Sequence, residues 1–193
     1  MKRSLTLTDV LVTVVISIVF GLIYKLWGPL YYAVKPIGLH IDQLIYGMWF
    51  IAATVAFLII RKPGVAILAE IAAASGEFLA GSEFGLEALL YGAMQGLFAE
   101  IIFALFMYKR YSLFVTCLAA FGSGLASIIM DSYKGYIGDL ALWNLTLFVG
   151  ARLIGTILIA GVGAYYLVKA LEETKVTTIL RTNRQEHYDA LDK

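Results

Sequence analysis

The sequence predicts an all-α integral membrane bundle of six helices with both termini on the cytoplasmic side. Three observations carry this. Of 193 residues, 61% are hydrophobic and only 15% charged, at a mean hydropathy of +0.83, whereas a soluble domain carries about 25% charged residues. The apolar residues fall into runs near the roughly 20 residues a spanning helix needs. The basic residues gather between alternate runs, the bias that sets topology in membranes.

In chain order, the first span covers about Thr8–Leu26; it is too long for a cleaved signal, and no small-residue cleavage site follows it. The second covers about Gln43–Ile60. The third, about Gly64–Ala80, is short and Ala-rich and carries Glu70 and Glu77. The fourth, fifth and sixth cover about Leu86–Met107, Ser112–Met130 and Leu142–Lys169. Lys2, Arg3, Arg61, Lys62, Lys109, Arg110, Lys169, Lys175, Arg181, Arg184 and Lys193 then fall on one side; only Lys25, Lys35 and Lys134 fall on the other. The first side is cytoplasmic by this rule. Residues 1–171 form one domain and 172–193 a polar cytoplasmic tail. The connections Trp27–Asp42 and Asp131–Ala141 are the long outer ones, rich in Gly, Tyr and Trp, suited to a lid or an interfacial belt.

Several classes of chemistry are excluded by motif. There is no G-x-x-x-x-G-K-[ST] and no H-E-x-x-H. Phe121-Gly122-Ser123-Gly124 lacks the hydrolase elbow, and no His lies in a span to serve as its base. No enzyme activity, metal site, cofactor or nucleic-acid partner is expected. Cys117 is the single cysteine, and His40 reads as a loop residue.

The informative residues are the polar ones inside the spans, because a charge in hydrocarbon costs about 3 kcal/mol or more. Helical spacing lines them up: Glu70 and Glu77; Glu87, Tyr91 and Gln95; Ser123, Ser127 and Asp131; Asn144, Phe148 and Arg152. Four consecutive helices each present one stripe, and all four can face one cavity open to the outside. The substrate-binding candidates are Glu77 and Asp131 for a cation, Gln95 for an amide or aminopyrimidine edge, and Tyr91, Trp143, Asn144 and Trp49 for stacking and polar contact. Glu70 and Glu100 lie nearer the cytoplasm, with Arg152 able to reach them, either as an internal ion pair or as ligand contacts. Ser17 and Gly21 form a small-residue face that can meet another subunit.

The segments Glu70-Ile-Ala-Ala-Ala-Ser-Gly-Glu77 and Leu90-Tyr91-Gly92-Ala93-Met94-Gln95-Gly96-Leu97-Phe98-Ala99-Glu100, with Arg152, carry a resemblance across nearly the whole chain. The sequence resembles the substrate-capture (S) components of energy-coupling factor (ECF) transporters, a branch of the ABC transporters, and within them the thiamine/hydroxymethylpyrimidine type. The resemblance implies a vitamin bound near the outer face, no cofactor, and docking on a transmembrane coupling subunit driven by two ABC ATPases. An A-x-x-x-A docking motif in relatives corresponds here only to the looser Ser17…Gly21. The thiamine S components of another group use a Trp and a His on the fifth span; both are missing here, while Asn144 matches their Asn on the sixth. Thiamine fits the polar stripes through its thiazolium cation and aminopyrimidine. Another flat vitamin such as riboflavin, or a structural membrane protein whose buried charges only pack the bundle, is the alternative. Internal pairing of every acid in the spans would favour the structural protein.

Overall fold

The computed structural model describes residues 5–174. Lys2, Arg3 and the segment 175–193, which holds most of the expected tail, lie outside the described residues. Among the described residues every regular element is helical: α1 (Leu7–Val34), α2 (Ile41–Leu44), α3 (Ile51–Ile60), α4 (Val65–Leu79), α5 (Glu87–Leu105), α6 (Leu113–Tyr133), α7 (Leu142–Thr156) and α8 (Ala164–Glu173). Five helical stretches are long and apolar enough to cross a membrane: Leu7–Ile37, Ile41–Ile60, Glu87–Leu105, Leu113–Tyr133 and Leu142–Glu173. The remaining long element, α4, has 15 residues and packs between α1 and α5.

α1 opens with a capping box. The Thr6 hydroxyl accepts from the Asp9 amide, and the Asp9 carboxylate accepts from the Thr6 amide at 2.8 Å. This satisfies amides that the first helical turn leaves unpaired. The same carboxylate meets Lys62 Nζ at 2.6 Å, tying the start of α1 to the turn before α4. The helix then runs through Pro29 to Val34, two turns past its expected end. The segment 27–34, expected in a loop, is therefore helical. A proline inside a helix removes one backbone bond. Packing and one side-chain bond offset the loss: Tyr31 is buried, and Trp27 Nε1 donates to the Ile45 carbonyl at 2.9 Å.

The second apolar run is broken, where a continuous helix was expected. α2 passes through a 3₁₀ turn at Tyr46–Phe50 into α3. Gly47 makes the break possible: a Cβ there would come within 2.8 Å of Thr156 Cα, so only glycine lets this turn lie against α7. The sixth run is also irregular. A π-helical stretch, Ile157–Gly163, joins α7 to α8, and the Ala160 carbonyl within it accepts from the Thr54 hydroxyl at 2.8 Å.

The small face of α1 is spent inside the molecule. Ser17 is 1% exposed and donates to the Ala69 carbonyl at 3.0 Å. A Cβ on Gly21 would lie 2.8 Å from the Ala73 carbonyl and 3.1 Å from Gly76 Cα. This corrects the expectation that Ser17 and Gly21 face another subunit: small residues let two backbones approach, and α4 is the helix that approaches. The exposed side of α1 carries Leu11, Val15, Ile18 and Leu22 instead. Gly21→Leu is expected to destabilise the protein by about 1–3 kcal/mol through overpacking. Ile18→Ala, on the exposed side, should leave the thermal midpoint in detergent nearly unchanged.

Two buried carboxylates begin helices other than their own. Glu100 of α5 accepts from the amides of Gly64, Ala66 (2.9 Å) and Ile67 (3.4 Å) at the start of α4, where no neighbouring side chain caps the helix. Glu70 of α4 accepts from the Ala53 amide of α3 at 3.1 Å and from the Tyr24 hydroxyl at 3.2 Å. The expectation that Arg152 reaches Glu70 and Glu100 as an internal ion pair is therefore corrected. Each acid is engaged by helix-terminal amides, and the arginine has other partners.

Candidate solute-binding cavity

A cavity of about 580 Å³ opens at the end of the bundle where α1 finishes and α5 begins. This lies within the roughly 300–1,000 Å³ range of small-molecule sites. The broken second run supplies one aromatic wall. Tyr31 meets Trp49 edge-on at 5.2 Å, Tyr46 lies 5.4 Å from Trp49, and Trp49 meets Phe84 edge-on at 5.5 Å. The 3₁₀ turn brings Tyr46 and Trp49 to this wall, three residues apart in a turn of about three residues.

The floor is organised by Arg152, 2% exposed. Its Nε and Nη2 donate to Gln43 Oε1, at 2.8 and 2.5 Å, and its Nη1 pairs with Asp131 Oδ2 at 2.5 Å. The guanidinium lies 3.8 Å from the Tyr46 ring centroid and 4.5 Å from that of Phe148. Asp131 also accepts from the Tyr91 hydroxyl at 2.6 Å. Hydrogen bonds and an opposite charge together make a buried ion tolerable.

At the mouth, Glu87 accepts from Lys134 Nζ and from the Tyr136 hydroxyl, each at 2.8 Å. These bonds raise the pKa of both Lys134 and Tyr136 above the ordinary lysine and tyrosine values. His40 Nε2 meets Asn144 Oδ1 at 2.6 Å, and its ring sits edge-on to Phe148.

Two lining groups differ from the rest. Glu77 is 4% exposed, and its hydrogen-bond partners are neutral: Trp49 Nε1 at 3.3 Å and Ser82 Oγ at 3.1 Å, both on Oε1. Among the described residues no cation lies at ion-pair distance from it, although Lys25, paired with Glu83, acts on it from farther off; Asp131 has Arg152 and Glu87 has Lys134. Gln95 is 2% exposed; its Nε2 makes no hydrogen bond of ordinary geometry, although it interacts with the Tyr46 hydroxyl. A buried amide donor left unpaired costs about 1–3 kcal/mol, a cost that a ligand acceptor would remove.

Of the residues expected in the site, Glu77, Gln95, Tyr91, Asp131, Asn144 and Trp49 line one cavity. Trp143 does not. It is 65% exposed and points away from the cavity, because adjacent helical residues diverge by about 100° and Asn144 holds the inward position. Asp131 lines the cavity with its charge already matched by Arg152, whereas Glu77 and Asp42, the latter bonded to Gln43 Nε2, line it without a cation at ion-pair distance among the described residues. Tyr31, Gln43, Tyr46 and Phe84 were missed. Tyr31 falls in the segment expected as a loop, and Gln43 and Tyr46 fall on the run expected as one continuous helix. His40, read as a loop residue, lines the cavity in a left-handed conformation at φ 55°.

An all-helical chain with membrane-length helices and a deep polar-aromatic cavity at one end is a solute-binding integral membrane protein. Comparisons with known proteins agree. The family described as "ABC-type cobalt transport system, permease component" matches residues 8–126. A putative HMP/thiamine permease protein, YkoE, of Bacillus subtilis (strain 168) is 35% identical over 170 residues, covering 82% of this chain and 80% of that protein. A solved structure of an S-component of an ECF transporter superposes with a TM-score of 0.86 at 32% identity, covering 97% of this chain and 98% of that one. The chain belongs to this transporter family, as an S component of the ECF type: a multi-pass membrane subunit that binds substrate, and not an enzyme.

Proposed function

We propose that this S component captures thiamine, or its hydroxymethylpyrimidine precursor, and delivers it after docking on a coupling subunit driven by two ABC ATPases. The observation that carries the reading is Glu77, a buried carboxylate in the cavity wall with neutral partners. A fixed thiazolium supplies the missing charge. The aminopyrimidine offers a ring acceptor to Gln95 Nε2, and Trp49 and Tyr46 provide faces for the flat rings at roughly 0.5–2 kcal/mol each. The name of the Bacillus subtilis relative supports the same ligand class. The ligand contacts we assign are Glu77, Gln95, Tyr91, Trp49 and Asn144, with Asp131 acting through Arg152 and Tyr91.

In this reading α4 is a sixth span, both termini are cytoplasmic, and the cavity faces outward. Arg61, Lys62, Lys109 and Arg110 lie at the turns opposite the mouth, as the positive-inside bias requires. The coupling subunit uses a surface other than Ser17 and Gly21, which α4 covers.

Isothermal titration of the ligand-stripped protein in detergent tests the assignment. Thiamine should bind in the nanomolar to low micromolar range, about −12 to −8 kcal/mol. Gln95→Leu should weaken thiamine and hydroxymethylpyrimidine alike by about 5- to 30-fold, the worth of one or two hydrogen bonds. A monodisperse protein that gives no heat with either compound rules the assignment out.

A further inference from the structure

We propose that Glu70, which makes no contact with the cavity, is a positioning residue for it: together with Tyr24 it fixes the turn Tyr46–Phe50 that presents Tyr46 and Trp49. This rests on the reading of the cavity as the substrate site. The amides at the start of a helix have no partners within it, and at α3 each has an external one. The Ile51 amide donates to the Met48 carbonyl. The Ala52 amide donates to the Tyr24 hydroxyl at 3.0 Å, and the Ala53 amide to Glu70 Oε2 at 3.1 Å. The Tyr24 hydroxyl in turn donates to the same Oε2 at 3.2 Å.

The arrangement explains a buried carboxyl that has no cation partner among the described residues. Glu70 is 0% exposed, and its Oε1 has no hydrogen-bond partner. A chain that continued α3 upward as one helix would satisfy the Ala52 and Ala53 amides from its own carbonyls, and Tyr46 and Trp49 would move to other faces. Acceptors supplied from α1 and α4 stabilise the broken form instead. Gly47 against α7 holds the turn from the other side. Glu70 thus sets the shape of the aromatic wall from below, about two helical turns from Glu77 along the same face of α4.

The test uses the full-length protein in detergent. Hydrogen exchange, followed by NMR without ligand, reads the Ala52 and Ala53 amides and the Trp49 indole N–H; calorimetry reads thiamine affinity. Glu70→Leu should speed exchange at Ala53 and at the Trp49 indole by about tenfold or more and weaken thiamine by about tenfold. Glu70→Gln keeps an oxygen for the Ala53 amide and should restore both readouts to within about threefold of the parent. Unchanged exchange at Ala53 and Trp49 in Glu70→Leu overturns the proposal, as does unchanged thiamine affinity alongside faster exchange. If Glu70→Leu yields no folded protein, Tyr24→Phe carries the exchange test at Ala52 and Trp49, unchanged exchange overturning the proposal; thiamine affinity is no readout for that variant, because Tyr24 itself lines the cavity. A parent protein that gives no heat with thiamine removes the thiamine assignment alone; exchange at Ala53 and the Trp49 indole then decides whether Glu70 holds the turn.

Discussion

Arg152→Met is expected to lower stability by about 3–5 kcal/mol, the usual effect of removing one member of a buried ion pair, and to abolish measurable thiamine binding. The guanidinium holds five groups at once: Asp131, the Gln43 amide oxygen, the Ser127 hydroxyl, and the rings of Tyr46 and Phe148. Its loss strands a carboxylate that is 6% exposed and frees Tyr46 to leave the wall. For a chain of this length each kcal/mol lowers the thermal midpoint by about 2–4 °C, so a fall of roughly 6–20 °C in detergent is expected. The double variant Arg152→Met/Asp131→Leu should regain much of the midpoint, because an apolar pair of similar volume replaces an ion pair at little net cost. It should not regain binding, since Tyr46 remains unsupported. A double variant no more stable than Arg152→Met would show that Asp131 is not the group left stranded.

Glu77→Gln is expected to separate the two candidate ligands. Unit charges about 4 Å apart attract by about 4 kcal/mol at partly buried positions, and part of that is offset by removing water from the cation. The net loss for thiamine should be about 2–3 kcal/mol, a factor of about 30–150. Hydroxymethylpyrimidine has no fixed charge, so its affinity should change by less than about threefold. The glutamine keeps an oxygen for Trp49 Nε1 and Ser82 Oγ, so the fold is preserved. Calorimetry with both compounds decides the matter; equal losses would mean that Glu77 shapes the wall without reading charge.

The stripes on the fourth run and on the start of the sixth were legible because those helices are regular where they meet the cavity; of the fifth-run stripe only Asp131 lines it. Spacing of four residues was enough to bring Glu87, Tyr91 and Gln95 to one face, and Asn144, Phe148 and Arg152 to another, and the structure puts all six around the cavity. Reading failed where a residue's neighbour along the chain was taken as its neighbour in space. Trp143 adjoins Asn144 in sequence yet faces away. Arg152 was aimed at Glu70 and Glu100 because depth was inferred from residue count; its partner Asp131 was instead assigned to the ligand. Gln43 and Tyr46 were not placed in the site because the second run was read as one continuous helix, whereas the 3₁₀ turn at Tyr46–Phe50 breaks it. Nor does a small-residue face such as Ser17 and Gly21 say which helix will cover it. The difference between an acid that faces the cavity and one that begins a neighbouring helix is a matter of tertiary position alone: Glu70 and Glu77 are seven residues apart on one helix, with different surroundings.

The capping of α3 and α4 by carboxylates from other helices bears on how the chain is made. While a ribosome has released only the residues up to the end of α4, the amides of Gly64, Ala66 and Ile67 lack the acceptor that Glu100 supplies. At that stage α4 is a 15-residue segment carrying two glutamates, each unfavourable for insertion by a few kcal/mol at mid-bilayer. It therefore partitions poorly into lipid as an independent unit. On the proposal that α4 is a sixth span, its integration is expected to await α5, and a nascent chain arrested between α4 and α5 should leave that segment accessible to water.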